Sequence, residues 1–308
     1  MLSFIEEEFY LVVDGLDHIS REYELNKDFI SHSEIEIISE LLEIKFPNNC
    51  YVIISSQPID EIEKFKSKNY SVFDIEPWGI EQVKSLMMTF QISDDTIEDD
   101  ISSISAYLLK KSQGNALYLS YILRQLRNLD VNRELIDEIP DYDISLSKYY
   151  SYLYTKVHNN HTVNALCGAD FYLGLNDLME ITGDGKYVEQ DISVLHPLLI
   201  ENTLSGGFSI YHESFRRFVL ASLKDKKVDL ERNVYGILAD WLQKKPFFEF
   251  DKSFYYLTEL LYKIKRDAEN IELIEKEFVL KSVSEGYSRK RIRMNLNCII
   301  RSAGRIRN

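Results

Sequence analysis

The chain has 308 residues, 45% hydrophobic and 28% charged, and its 36 Lys+Arg against 50 Asp+Glu give a net charge of -14. That acid surplus argues against nucleic-acid binding by the whole surface. Length suggests about two domains, and the low Gly and Pro content (12 and 6) favours helices over loops.

Cys50, Cys167 and Cys298 lie more than a hundred residues apart. They match neither a metal spacing nor a disulfide framework, which suits a reducing cytoplasm. The N-terminal Met1-Leu-Ser-Phe-Ile-Glu-Glu-Glu is acidic where a signal peptide is basic. No apolar run approaches the ~18 residues of a membrane span. The expectation is a cytoplasmic protein with no membrane contact.

In chain order, residues 9–13 form a short apolar run rich in β-formers, expected as a buried strand of a parallel sheet. Over residues 33–46, Ile35, Ile38, Leu41, Leu42 and Phe46 share one helical face. Pro47-Asn-Asn49 ends that helix, and Cys50-Tyr-Val-Ile-Ile-Ser55 is expected as a second buried strand. A third strand is expected over residues 71–75. Strand, helix, strand is half of a parallel α/β sheet.

After Trp78-Gly79 the pattern becomes helical. Ile80, Val83, Leu86, Met87 and Phe90 make one face, Ile101, Ile104 and Leu108 another, and Leu117, Tyr118, Tyr121, Ile122, Gln125 and Leu129 a third. The polar, acidic residues 130–143 are expected as a linker. Residues 145–223 read as three helices, a strand, a turn, a strand and a helix, with Ser205-Gly206-Gly207 as the hairpin signal. That order suits a winged helix. From residue 230 onward the chain reads as helical, with Phe247-Phe248 and Tyr255-Tyr256 for helix packing, and could begin a helical-repeat array.

Five segments carry chemistry. Tyr10-Leu-Val-Val-Asp14-Gly15-Leu-Asp17-His18 is a strand ending in an acid, and the turn after it favours a residue without Cβ. Ile53-Ile54-Ser55-Ser56-Gln57-Pro58 is a strand running into polar residues, where the Gln57 amide can bond a phosphate but not neutralise it. Ile75-Glu76-Pro77-Trp78-Gly79 leads into helices, and Lys111-Ser-Gln-Gly114-Asn115-Ala116 opens a helix N-terminus. His212, in Tyr211-His212-Glu213-Ser214-Phe215-Arg216-Arg217, stands at a strand-to-helix corner where an imidazole can donate to an oxyanion. His18 is expected as a residue of a helix start.

Arg289, Lys290, Arg291, Arg293, Arg301, Arg305 and Arg307 make a basic end, expected as a solvated helix face. No Ser-His-Asp, Cys-His or His-Glu-x-x-His arrangement is visible.

Taken in order, residues 10–286 resemble the STAND class of NACHT-like P-loop signalling ATPases, and within it the bacterial antiviral ATPases that sense phage proteins. The resemblance implies a Walker B strand at residues 10–14, with Asp14 holding Mg²⁺ through water and Asp17 orienting the attacking water. Gln57 stands where these proteins often carry an arginine that senses the γ-phosphate. Gly114 and Asn115 resemble the motif that supports adenine and ribose, with Ala116 replacing its proline. His212 resembles the winged-helix histidine that reaches the β-phosphate of ADP.

The implied ligands are ATP or ADP and Mg²⁺. The implied partners are proteins: a second copy, or a phage or other trigger protein. Gly-x-x-x-x-Gly-Lys-[Ser/Thr] occurs nowhere in the chain, and only thirteen residues precede Asp14. A truncated module with negligible hydrolysis by itself is therefore expected.

The expected architecture is mainly α with a partial α/β N-terminal part. It comprises an ATPase core remnant at 1–76, a helical lid and linker at 77–143, a winged helix at 144–228 and a helical bundle at 229–308. The alternatives are a catalytically inactive helical interaction module and, ranked last, a winged-helix transcription regulator, since the recognition residues after the wing, Glu213-Ser-Phe-Arg216-Arg217, offer only two bases.

Overall fold

The computed structural model describes residues 7–16, 37–56, 65, 71–92, 100–127, 129, 131–183, 185–204 and 206–307. It is mainly α with a partial α/β N-terminal part, and it divides into two compact units, Met1–Ile75 and Glu76–Asn308. The expected lid, winged-helix and C-terminal segments all fall in the second unit.

In the first unit, β1 (Phe9–Val13) pairs in parallel with β2 (Cys50–Ile54), in register from Phe9 opposite Cys50 to Val13 opposite Ile54. Helix α1 (Ile37–Glu43) lies between them in sequence. This is the strand–helix–strand order that a parallel pair requires. The strands are not buried, however. Tyr10 and Val12 are 64% and 63% exposed, and Tyr51 and Ile53 46% and 50%.

Apolar composition selects the extended conformation, but burial of a parallel sheet needs a packed layer on each face. The described end of α1 is itself half-buried to exposed. Residues 71–75, expected as a third strand, have no strand pairing, and Val72, Phe73 and Ile75 are exposed.

The second unit has one large core. Helices α2 (Ile80–Thr89), α3 (Ile101–Ser112) and α4 (Ala116–Leu126) bury the predicted stripes, with Val83, Met87, Ile104, Leu108, Tyr118 and Ile122 fully enclosed. Capping follows the sequence. Asp100 accepts from the Ser103 amide at 3.1 Å, and Asn115 accepts from the Tyr118 amide at 2.8 Å.

The acidic stretch 130–143 is packed rather than a free linker. It contains α5 (Arg133–Asp137), and Val131, Ile136 and Ile139 are buried in the core. The acids Glu134, Asp137, Glu138 and Asp141 stay exposed while these apolar residues enter the core.

Helices α6 (Ser147–Tyr154), α7 (Asn160–Gly168), α8 (Leu175–Thr182) and α9 (Val188–Leu195) precede the hairpin, one more than the pattern predicts. Strand β3 (Leu199–Asn202) pairs antiparallel with β4 (Gly207–Ile210), and Leu173 bridges Phe208 on the far side of β4. Helix α10 (Glu213–Asp225) follows.

The remainder is helical, as expected. A π turn (Glu231–Gly236) runs into α11 (Ile237–Gln243), and a second (Ser253–Leu257) runs into α12 (Thr258–Lys263). Then come α13 (Asp267–Glu272), α14 (Phe278–Ser284) and α15 (Arg289–Arg307). Buried amides and hydroxyls fix α15 in place. Asn295 donates to the Phe254 carbonyl at 2.8 Å and accepts from Thr258 Oγ1 at 2.9 Å. Asn270 donates to Ser302 Oγ at 3.0 Å. Buried polar contacts of this kind favour one register between helices.

The basic end is therefore only partly a solvated face: Arg291 is buried, and Arg305 donates to Asp267 Oδ1 and the Tyr262 carbonyl, each at 2.6 Å.

Candidate functional site

Asp14 directly follows β1, and Ser55 directly follows β2, so parallel pairing brings both to the carboxyl ends of the strands. The Ser55 hydroxyl donates to Asp14 Oδ1, and Ser55 Oγ itself accepts from the Gly15 amide at 3.2 Å. The Leu16 amide donates to the Ser55 carbonyl at 3.1 Å. Gly15 has φ +69°, a left-handed value that an L side chain adopts at a cost of about 1 kcal/mol. The glycine lets the chain turn sharply beside the acid, so Asp14 and Ser55 form a small polar edge held by three hydrogen bonds. Asp17, His18 and Gln57 lie outside the described residues.

Among the described residues, no three His, Cys, Asp or Glu side chains are grouped to hold a metal ion. Asp14 nevertheless suits Mg²⁺ held through water. That ion keeps several waters and is often bound by one or two protein carboxylates together with substrate phosphates.

In the second unit, the segments around Trp78 and Gly114 meet. The Trp78 amide donates to the Gly114 carbonyl at 2.8 Å. Gly114 has φ +76°, and a Cβ there would lie 2.5 Å from the Trp78 carbonyl oxygen and 2.9 Å from Pro77 Cβ. Glycine is demanded twice, by the dihedral and by the approach of the Pro77-Trp78 backbone. Asn115 uses both ends of its side chain: Oδ1 caps α4 and Nδ2 donates to the Tyr142 hydroxyl at 3.2 Å.

His212 is the N-cap of α10. Its Nδ1 accepts from the Ser214 amide at 3.2 Å and lies 2.7 Å from Ser214 Oγ, which is 2.6 Å from the Tyr150 hydroxyl. Accepting an N–H requires a lone pair on Nδ1, which puts the ring proton on Nε2. Arg216 points inward to Asp170 Oδ1 at 2.6 Å and the Ala169 carbonyl at 2.9 Å.

Tyr211, just after β4, packs against α4. Its ring meets Tyr121 edge-on at 6.1 Å, and the Arg124 guanidinium lies 4.2 Å from its centroid. Arg124 also donates to the Leu199 carbonyl at 2.8 Å. Single-residue motif reading missed this clamp. Its only signal was the density of tyrosines at 118, 121, 149 and 150, all of them buried.

No described helix is long and apolar enough to cross a membrane. The chain matches no protein-family model and no curated protein.

Proposed function

We propose that this chain is part of a STAND-type signalling ATPase of bacterial antiviral defence, a cytoplasmic, nucleotide-dependent switch. The phosphate-binding loop would be supplied by polypeptide outside these 308 residues. The supporting observation is the Asp14–Ser55 edge: ligands of open α/β sheets bind outside the carboxyl ends of the strands, where this pair sits. Mg²⁺-bound ATP would supply the transferable phosphoryl group and part of the charge neutralisation. Asp14 would hold the ion's water shell, Ser55 would fix the carboxylate rotamer, and Gly15 would keep a Cβ away from the site.

The lid–wing clamp through Tyr211 and Arg124 supports a lid and winged helix that move as one piece. The exposed apolar side chains of β1 and β2 support a protein partner or a second copy covering the sheet.

The product of the reading frame preceding Met1 tests the reading. Mixing the two polypeptides should create Mg²⁺-dependent ATP binding that Asp14→Asn removes, while the chain alone shows no turnover. No gain in binding on mixing would overturn the proposal, as would Asp14-dependent hydrolysis by the chain alone.

A second reading, an inactive helical interaction module, is favoured by one observation: Gly114, Asn115 and His212 all have structural duties that need no nucleotide. Under it, mixing creates no nucleotide site. The DNA-binding reading ranks behind both, because Arg216 is engaged with Asp170.

A further inference from the structure

The loop before α8, the start of β4 and the π turn preceding α12 enclose a cavity of about 360 Å³, within the size range of small-ligand sites. None of the residues expected to face nucleotide lines it. Its walls are aromatic: Phe171, Tyr172, Tyr255 and Tyr256. Phe171 and Tyr256 stack with ring centres 4.3 Å apart.

The π turn explains how two consecutive tyrosines reach one cavity. Both tyrosines lie in this turn, and the Phe254 carbonyl beside them accepts from Asn295 at 2.8 Å. Such insertions recur at functional sites. Gly207 keeps another wall open, since a Cβ there would lie 2.9 Å from the Tyr172 Cβ.

Charge narrows the ligand. Among the lining residues, Asp177 and Asp251 stand with one cation, Lys252, whose Nζ lies 2.5 Å from Asp177 Oδ2, while the Arg291 guanidinium lies 5.4 Å from the Tyr255 ring centre. That oxygen also accepts from the Gly174 amide at 2.9 Å, and Asp251 Oδ1 accepts from the Tyr287 hydroxyl at 3.1 Å. Among the described residues, Asp177 Oδ1 and Asp251 Oδ2 accept nothing. The lining residues therefore carry a net negative charge and spare carboxylate oxygens beside aromatic rings, one of which, Tyr255, already attracts the Arg291 guanidinium. Lys252 itself lies 5.9 Å from the Phe171 centroid, in the arrangement that attracts a cation to a ring.

We propose that this cavity binds the arginine side chain of a basic protein or peptide partner. A guanidinium is planar, stacks on aromatic faces and presents five donors. The tyrosine wall matches its plane, and Asp251, exposed at the rim, matches its N–H edge. An anion would meet a net negative cavity on a protein of net charge -14. This assignment stands apart from the nucleotide reading.

Calorimetric titration with a blocked Gly-Arg-Gly tripeptide and its citrulline and lysine counterparts tests it. The arginine peptide should bind at least about ten-fold more tightly than the neutral citrulline isostere. Asp251→Asn should abolish that preference, and Tyr256→Leu should weaken every peptide. Asp251 is exposed, so its variant remains informative if Tyr256→Leu fails to fold. The proposal is overturned by absent binding, equal affinity for arginine and citrulline, a lysine peptide binding as tightly, or a preference that survives in Asp251→Asn.

Discussion

The Ser55 hydroxyl donates to the Asp14 carboxylate across the carboxyl ends of two parallel strands, 41 positions apart in the chain. The same oxygen accepts from the Gly15 amide, so one hydroxyl orients the acid and closes the turn beside it. Ser55→Ala removes both bonds while leaving the backbone pairing of β1 and β2. Its expected cost is about 1 kcal/mol, confined to the first unit. Hydrogen exchange should show faster exchange at the Gly15 amide, with protection in α4 and α10 unchanged. Equal protection at Gly15 in both proteins would remove Ser55 from this role.

Gly114 should tolerate no side chain. Ala at φ +76° costs about 1–2 kcal/mol, and the approach to the Trp78 carbonyl adds a clash of similar size. Gly114→Ala is expected to destabilise the second unit by about 2–4 kcal/mol, read as a lower midpoint in thermal or urea unfolding. Asn115→Ala should cost about 1 kcal/mol through the lost cap. A neutral Gly114→Ala would mean that the Pro77-Trp78 segment is not held against it.

For His212, the cap and any ligand-facing role separate by substitution. His212→Ala should cost about 1 kcal/mol of stability, and His212→Asn should restore most of it, because asparagine also accepts the Ser214 amide. Chemical denaturation of the three proteins is sufficient. If Asn and Ala are equally destabilised, the Nδ1 contact is not what holds the corner.

Glu180 gives an acid-range signature. Hydrogen bonds from Lys245 and then from the Trp241 indole hold its carboxyl below its ordinary value of 4.5. A lowered folded-state value means that the ionised contact contributes at pH above 4.5 and is lost as the pH falls through the folded value. Trp241 emission should therefore change with a midpoint below pH 4.5, and Glu180→Gln should flatten that transition. The stability change should be small, because the Glu180 side chain is half exposed to solvent.

Much of the second unit was legible from the amino-acid order. Residues such as Val83, Met87, Ile104 and Leu108 recur at helical spacing, and Gly206-Gly207 punctuates two short β runs, so helix faces and hairpin follow from local periodicity. The strand positions of the first unit followed for the same reason. Whether those strands are covered did not, since Tyr10 and Ile53 are apolar whatever packs on them and burial depends on layers distant in sequence. Packing of residues 130–143 was likewise hidden under acidic composition.

The sites divide the same way. Chemistry-bearing side chains such as Asp14, Asn115 and His212 are visible one at a time. Ser55 and Tyr142, the partners of Asp14 and Asn115, stand 41 and 27 positions away, and Tyr150 reaches His212 through Ser214; all were joined by folding alone. The aromatic cavity is wholly a tertiary product: it needs a π turn, a glycine 48 residues before Tyr255 and a stacked ring from another segment. Local periodicity records which face a helix buries; the closing of long loops decides which side chains meet.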